Sequence, residues 1–411
     1  MRRVVVTGIG LITPVGIGRA DTWASLLAGR SGIDHVRYFD TSALPVHVGA
    51  EIKSFAPGRF VQRQAPESMG RASQFAIAAA RLALEDARID AGSWPRERVA
   101  VVMGTTSGEA EFIERYNDHK QAGGIDAVPE RLPAKYPSNV IPGRVAAEFD
   151  ARGPCMMIPT ACAAGNYAIG YGFDLIRSGR ADITLAGGSD PFSRINYTGF
   201  ARLRAIAPER CQPFDRNRKG MIPGEGAAVL VLEDRDAALA RGATAYAEVL
   251  GYGVTCDAHH MTAAHPHGDG AVRAMTMAMQ QSGVTAGEID YISAHGTGTP
   301  TNDRVESFAL KALFGSRAKS IPMSSIKSMI GHTMGAASAI EAAVCALALS
   351  TGFVPPTINF EQPDPDCEID CVPNVARRVD PAVVLNNAYA FGGNNASLCL
   401  ARHDRPRSTA S

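Results

Sequence analysis

The chain has 411 residues, 45% of them hydrophobic and 20% charged, which suits an ordinary globular protein of two domains or of one large layered domain. Its 41 basic residues balance 41 acidic ones, which excludes a global field for nucleic acid or an anionic membrane. The absence of a run of 18 uncharged apolar residues predicts no membrane span, and eight cysteines without a CxxC pair predict no disulfide framework, as in a reducing cytoplasm.

The first residues, Met1 and two arginines followed by VVVTGIGLITPVGIG, imitate a signal peptide, but Thr7, Thr13 and Pro14 interrupt the apolar stretch and no small-residue cleavage site follows. They read instead as a buried strand over Arg3 to Thr7 that enters a glycine-rich turn. That turn is not a dinucleotide loop, because Thr13 stands where GxGxxG needs its third glycine. Apolar residues at three- and four-residue spacing predict a helix over 70–88, and a β-branched run predicts a strand over 99–105. Strands follow at 182–188 and 227–233, then a short charged helix near 234–242 that marks an internal boundary. Beyond it come a strand at 246–254, a helix at 269–283, a strand at 290–296 and a helix at 302–314. This alternation argues for an α/β protein with helix-covered sheets. The two halves, 1–240 and 241–411, carry similar runs of elements, as a duplicated unit would. The tail after Arg402 is polar, contains Pro406 and reads as frayed.

Cysteine is most often an inert packing residue, so each of the eight starts from that reading. Cys162 departs from it. A short strand ends at Pro159 and Thr160, and a helix rich in Ala and Gly starts at or just after Cys162, with Ser178 and Gly179 as its stop. A thiol at a helix N-terminus faces unpaired N–H groups and the positive end of the macrodipole, which favour thiolate. Ala161, Ala163, Ala164 and Gly165 leave room for another backbone or a substrate. The pattern is that of a strand–turn–helix nucleophile elbow with sulfur as the nucleophile. Two histidines add weight: His295 ends a strand and opens a Gly/Thr loop, and His332 stands where a Gly-rich loop enters a small-residue helix. Acyl chemistry on sulfur needs proton management and oxyanion donors, which imidazoles supply. A glycine-rich turn at 387–396 follows the strand VVLNN and can bring backbone N–H groups to an oxyanion.

Together, TACxxG at 160–165, AHGTxTP at 294–300, KSxxGHxxGAxxxxE from Lys327 to Glu341 and NxxxFGGxN at 387–395 resemble the β-ketoacyl-acyl-carrier-protein synthases, specifically the type II elongating class. AGGSD at 186–190, PFDxxRxGxxxGEGA at 213–227 and DAHHMT at 257–262 extend the likeness from Val4 to about Ala401. The resemblance implies a thiolase-type five-layer αβαβα fold from two duplicated halves, usually a homodimer. It implies that Cys162 takes an acyl group from the phosphopantetheine of a carrier protein, and that His295 and His332 hold the malonyl thioester oxygen while CO2 leaves. Lys327 and Glu341 would support His332, and Thr297 and Thr299 would bond the pantetheine arm. The N–H groups of Cys162 and Phe391 would form the oxyanion hole, with the Phe391 ring as a gate. No metal or other cofactor is implied. Thiolases carry a second cysteine where this chain has Phe-Gly-Gly, type III synthases carry Asn in place of His332, and chain-length-factor subunits lack the nucleophile; this chain keeps Cys, His and His.

Some positions depart from the family pattern. Asn394 follows the FGG, Ala390 precedes the phenylalanine, and Ser107 replaces a larger apolar residue at the expected acyl pocket. Near 62–71 only Arg63 and Arg71 are positive, where the bacterial fatty-acid enzymes present several basic residues to their carrier. Arg202, Arg204, Arg210, Arg216, Arg218 and Lys219 offer an alternative docking patch, with Arg216 and Arg218 also readable as structural. These departures leave open a specialised ketosynthase of a polyketide or polyene pathway, paired with a related non-identical subunit. Cys256, His259, His260, His265 and His267 imitate a metal cluster, but a His-Pro-His loop fits loop anchoring better than zinc.

Overall fold

The computed structural model describes residues 2–405; Pro406 and the residues after it, part of the tail expected to fray, lie outside them. The N-terminal strand β1 (Val4–Thr13) is buried along its whole length, so the strand expected to end at Thr7 continues through Gly8 and Gly10. The two glycines serve close packing rather than a turn. A Cβ on Gly8 would lie 2.1 Å from the carbonyl oxygen of Ala83, and one on Gly10 1.8 Å from that of Ala79. Both oxygens belong to helix α1 (Arg71–Ala87), which therefore lies directly on the strand.

After α1 come β2 (Val99–Gly104), α2 (Ala110–Gly123), α3 (Val140–Phe149), β3 (Cys155–Ile158), α4 (Ala164–Arg177), β4 (Ile183–Asp190), α5 (Arg194–Arg202) and β5 (Gly226–Asp234). The charged segment after β5 is the short helix Arg235–Ala240. The remaining main elements are β6 (Ala247–Cys256), α6 (Asp269–Ser282), β7 (Tyr291–Ser293), α7 (Pro300–Phe314), β8 (Met323–Ser324), α8 (Ala337–Thr351), β9 (Val383–Tyr389) and β10 (Asn394–Ala401).

The strand order is β8-β7-β9-β10-β6-β1-β5-β4-β2-β3. Read outward from the centre, β1-β5-β4-β2-β3 and β6-β10-β9-β7-β8 repeat one topology. In each half the two inner pairs are antiparallel and the two outer pairs parallel. The halves join where Val4–Val6 pair antiparallel with Ala247–Val249. Helices α1 and α3 cover the outer face of the first sheet, α4 and α8 fill the space between the sheets, and α6 and α7 cover the second. This is the five-layer αβαβα arrangement expected from the resemblance.

Helix α8 is apolar on every side because sheets and α4 surround it. With the preceding turn it forms a stretch, Met334–Thr351, long and apolar enough to cross a membrane, yet 89% of it is buried inside the protein. It also contains Glu341, which bonds the buried Lys327. The described cysteines are all free thiols.

Candidate active site

The duplication places two elbows side by side. In the first half β3 leads through the turn 161–163 into α4; in the second, β8 leads through the turn 334–336 into α8. Each turn contains a non-glycine residue in the left-handed region, Ala161 at φ 50° and Met334 at φ 52°. Such a backbone is strained for a residue with a Cβ and persists where the surroundings enforce it. Those surroundings are close contacts between backbones. A Cβ on Gly104 would lie 2.4 Å from the carbonyl carbon of Ala164, and one on Gly165 2.4 Å from the amide nitrogen of Ala339. Ala164 and Gly165 thus admit the end of β2 and α8, two neighbouring backbones.

Cys162, His295 and His332 line one cavity of about 190 Å³. All three are buried, and the imidazole centroids lie 5.5 Å apart with their planes at 82°. Met334 N–H donates to His332 Nδ1 at 3.2 Å, which assigns the proton of the neutral ring to Nε2. The His332 main chain is pinned by its N–H to the Ile222 carbonyl at 2.6 Å. His295 is held from behind: its own N–H and that of Gly296 donate to the two oxygens of Glu306 at 2.9 and 2.8 Å. Burial lowers the pKa of both imidazoles well below 6.5, with the Lys327 ammonium adding to the effect. Both rings are therefore neutral N–H donors at physiological pH.

Cys162 corrects one expectation. Burial pushes its thiol up to about 12, against the opposing pull of Lys327. Desolvation outweighs the positive influences at the helix mouth, so the Cys162 sulfur rests as a thiol.

Lys327 and Glu341, both buried, bond each other, and burial pushes the Glu341 carboxyl up to about 7 even with the ammonium beside it. Thr297 and Thr299 line the cavity with their hydroxyls 2.9 Å apart, and Thr299 also caps α7. Phe391, 41% exposed, lines the cavity beside Phe200, ring centroids 5.9 Å apart. Gly392 and Gly393, at φ 79° and 76°, turn the chain after it, as only glycine does without strain. Asn395 Nδ2 to Asp257 Oδ1, at 2.7 Å, fixes that turn to the end of β6.

Other expected residues fall elsewhere. Ser107 does not line this cavity. Its N–H donates to Asp190 Oδ1 at 2.7 Å and its hydroxyl accepts from Asn196, because the Asp190 carboxylate draws the 105–107 loop onto the end of β4. Arg71 does not face a carrier: it makes two 2.7 Å bonds to Glu225 and lies 4.5 Å over the Phe75 ring. Arg218 is buried against Asp364 and Asp303, and Arg210 pairs with Glu361 at 2.7 Å. Arg63, Arg202, Arg204, Arg216 and Lys219 are exposed. The rings of His259 and His265 lie 5.2 Å apart, and those of His265 and His267 5.8 Å apart. Among the described residues no group of three His, Cys, Asp or Glu side chains is placed to share a cation. Thr262, Ala263 and Ala264 of the same loop line the cavity.

Reading the sequence alone passes over Asp190, Glu306 and Tyr389. Asp190 accepts from Thr105 Oγ1, from the N–H groups of Thr106 and Ser107, and across the halves from Gly335 N–H at 2.7 Å; burial pushes it up to about 6. Its motif, AGGSD, is visible in the sequence but not its role. Glu306 lies on a helix whose pattern reads as ordinary amphipathic surface, and no local signal marks it.

Residues 1–238 match the family model of the beta-ketoacyl synthase N-terminal domain and residues 246–361 that of its C-terminal domain. Over 413 residues the chain is 39% identical to 3-oxoacyl-[acyl-carrier-protein] synthase 2 of Synechocystis sp., covering 98% of each chain. It is 40% identical over 421 residues to the tetracenomycin polyketide synthase ketoacyl synthase alpha subunit of Streptomyces glaucescens, covering 99% of each. The structure of the ishigamide ketosynthase/chain length factor superposes with a TM-score of 0.95 at 44% identity, over 98% of this chain and 99% of that one. Likeness of this extent, spanning both halves, makes the chain a member of the beta-ketoacyl synthase family.

Proposed function

We propose that the chain catalyses decarboxylative Claisen condensation of a Cys162-bound acyl group with malonyl-carrier protein, giving a 3-oxoacyl-carrier protein in chain elongation. The observation that carries this reading is the convergence of a buried thiol and two neutral imidazoles on one cavity. In the first half-reaction Cys162 Sγ attacks the acyl thioester of the carrier, and the departing pantetheine sulfur leaves as the thiol with the proton Cys162 gives up. In the second, the bond from the malonyl Cα to its carboxylate breaks, CO2 leaves, and the electron pair moves into an enolate whose oxygen His295 and His332 hold. The enolate carbon then attacks the acyl carbon, the bond from that carbon to Cys162 Sγ breaks, and the departing thiolate takes up one proton from solvent. Loss of CO2 generates the nucleophile, so no base strong enough to deprotonate a simple CH2 is needed. The reaction balances without a redox or metal partner, and the substrates arrive on phosphopantetheine.

Cys162 and Phe391 N–H groups are the oxyanion donors in this reading, Thr297 and Thr299 contact the pantetheine, and Lys327 with Glu341 hold the His332 loop. The carrier docks at the mouth, where exposed Arg202, Leu203 and Arg204 adjoin the lining residues Phe200 and Ala205. Residues 1–240 and 241–411 form the two halves, and the enzyme works in the cytoplasm, as a dimer. A second reading is favoured by the 44% identity to a ketosynthase/chain length factor structure and by the 40% identity to a polyketide synthase subunit: a specialised polyketide ketosynthase paired with a non-identical subunit.

Incubation with malonyl-carrier and a panel of acyl-carriers, followed by intact-protein mass, tests the reading. A mass gain on the wild type that vanishes in Cys162→Ala supports it, and the acyl chains accepted separate the two readings. His295→Ala and His332→Ala should each slow CO2 release about 100- to 1,000-fold, the effect of removing one oxyanion donor. Undiminished CO2 release in both variants would refute the roles assigned to these histidines.

A further inference from the structure

The cavity lining contains no Lys or Arg; Lys327 is buried against Glu341. A malonyl extender brings a carboxylate into this space, and a carboxylate stripped of water needs a partner. A cation would hold it firmly but would oppose the reaction, since the charge must leave the carboxylate for the thioester oxygen, and binding that favours the ground state raises the barrier. A neutral donor satisfies both demands.

The polar lining residues narrow the choice. Thr297 and Thr299 bond each other, Asn302 donates to Asp303, and Asn395 donates to Asp257. Thr262 and Thr301 are exposed at the mouth. Asp257, the acidic residue on the lining, is engaged by Asn395 and by the His265 N–H at 3.0 Å. Tyr389, at the end of β9, differs from all of these. Its side chain is 8% exposed, its ring meets that of His295 edge-on with centroids 5.8 Å apart, and its buried hydroxyl has no hydrogen-bond partner within the described chain. A buried hydroxyl left without a partner is costly and calls for an explanation.

We propose that Tyr389 is a specificity-determining residue whose hydroxyl donates a hydrogen bond to the carboxylate of the malonyl extender while His295 and His332 hold the thioester oxygen. This rests on the condensation proposed above. Burial keeps the phenol well above its ordinary pKa of 10, so it retains its proton beside a carboxylate. The contact lasts until the bond between the malonyl Cα and its carboxylate breaks, so it holds the bound extender and the transition state alike and selects a carboxylated extender through kcat/KM without accelerating the chemical step.

Steady-state condensation kinetics of wild type and Tyr389→Phe, which keeps the ring, test the proposal. The expected result is a KM for malonyl-carrier raised roughly tenfold, the loss of one hydrogen bond to a charged group, with kcat unchanged. Acylation of Cys162 by acyl-carrier should be unchanged. Inhibition by acetyl-carrier, which lacks the carboxylate, should also be the same in both proteins. An unchanged KM, an equal fall in both half-reactions, or an acetyl-carrier Ki that shifts with the malonyl KM would each overturn the assignment. A wild-type chain that acylates Cys162 and releases CO2 but shows no malonyl preference would overturn this inference alone. A wild type that does neither would overturn the proposed condensation itself.

Discussion

Each functional group at the site has its protonation state set by burial. The imidazoles are neutral because water is excluded and Lys327 is nearby, and the thiol is protonated for the first of those reasons. Two pH effects follow. Carboxamidomethylation of Cys162 should be slow at neutral pH and still rising at pH 10, where a free thiol near its ordinary value of 9 levels off; a plateau near pH 7, measured by iodoacetamide labelling, would indicate a thiolate. The fold should lose stability as pH falls below 6.5, because the unfolded chain takes up protons that the buried His295 and His332 refuse. His332→Asn should flatten that part of a stability–pH curve. The pair Lys327–Glu341 is a matched burial: at pH 8, above the Glu341 value of about 7, Glu341→Gln leaves an ammonium without its counter-charge and should cost about 3–5 kcal/mol, whereas Lys327→Met with Glu341→Leu should cost much less. Denaturant melts of the three proteins measure the difference. Cys162, His295 and His332 were legible in the sequence because each sits in a motif of several residues. Tyr389 and Glu306 were not, because their importance lies in contacts with His295 and its loop that no local pattern announces.

Among the elements, the two helices between the sheets carry the site. Their N-terminal turns deliver Cys162 and the Met334 N–H that orients His332, and their approach depends on Gly165, where a methyl group would sit 2.4 Å from the Ala339 nitrogen. Gly165→Ala must push α4 and α8 apart against rigid backbone. Overpacking of this kind costs about 1–3 kcal/mol or more, so a fall in Tm together with slowed acylation is expected; a variant with wild-type Tm and acylation rate would show that the contact is slack. Asp190 acts between elements in the same way, binding the loop after β2 to the turn before α8. Hydrophobic periodicity located the elements it named within a few residues, and it passed over α2, α3 and β10. It misread Gly8 and Gly10 as a turn, since a glycine demanded by a helix that follows about 70 residues later looks like any other.

For the whole molecule, equal numbers of acidic and basic residues mean that a carrier must find a local patch, and the structure reduces the candidates. Arg71 and Arg218 are committed to internal carboxylates, while Arg202 and Arg204 are exposed beside the mouth. Arg202→Glu with Arg204→Glu should lower kcat/KM for carrier-bound substrate about tenfold or more at low salt and leave acylation by a small soluble thioester unchanged. Equal losses with both substrates would argue against docking there. The amino-acid order by itself determined the α/β class, the duplicated run of elements and the motifs that hold Cys162, His295 and His332, because these depend on neighbours within a few turns of the chain. Which arginines face outward, whether the thiol is charged, where Ser107 points and which hydroxyl is left for a ligand were decided by tertiary structure alone. Burial and pairing join residues far apart in the chain, and no local pattern encodes the partner.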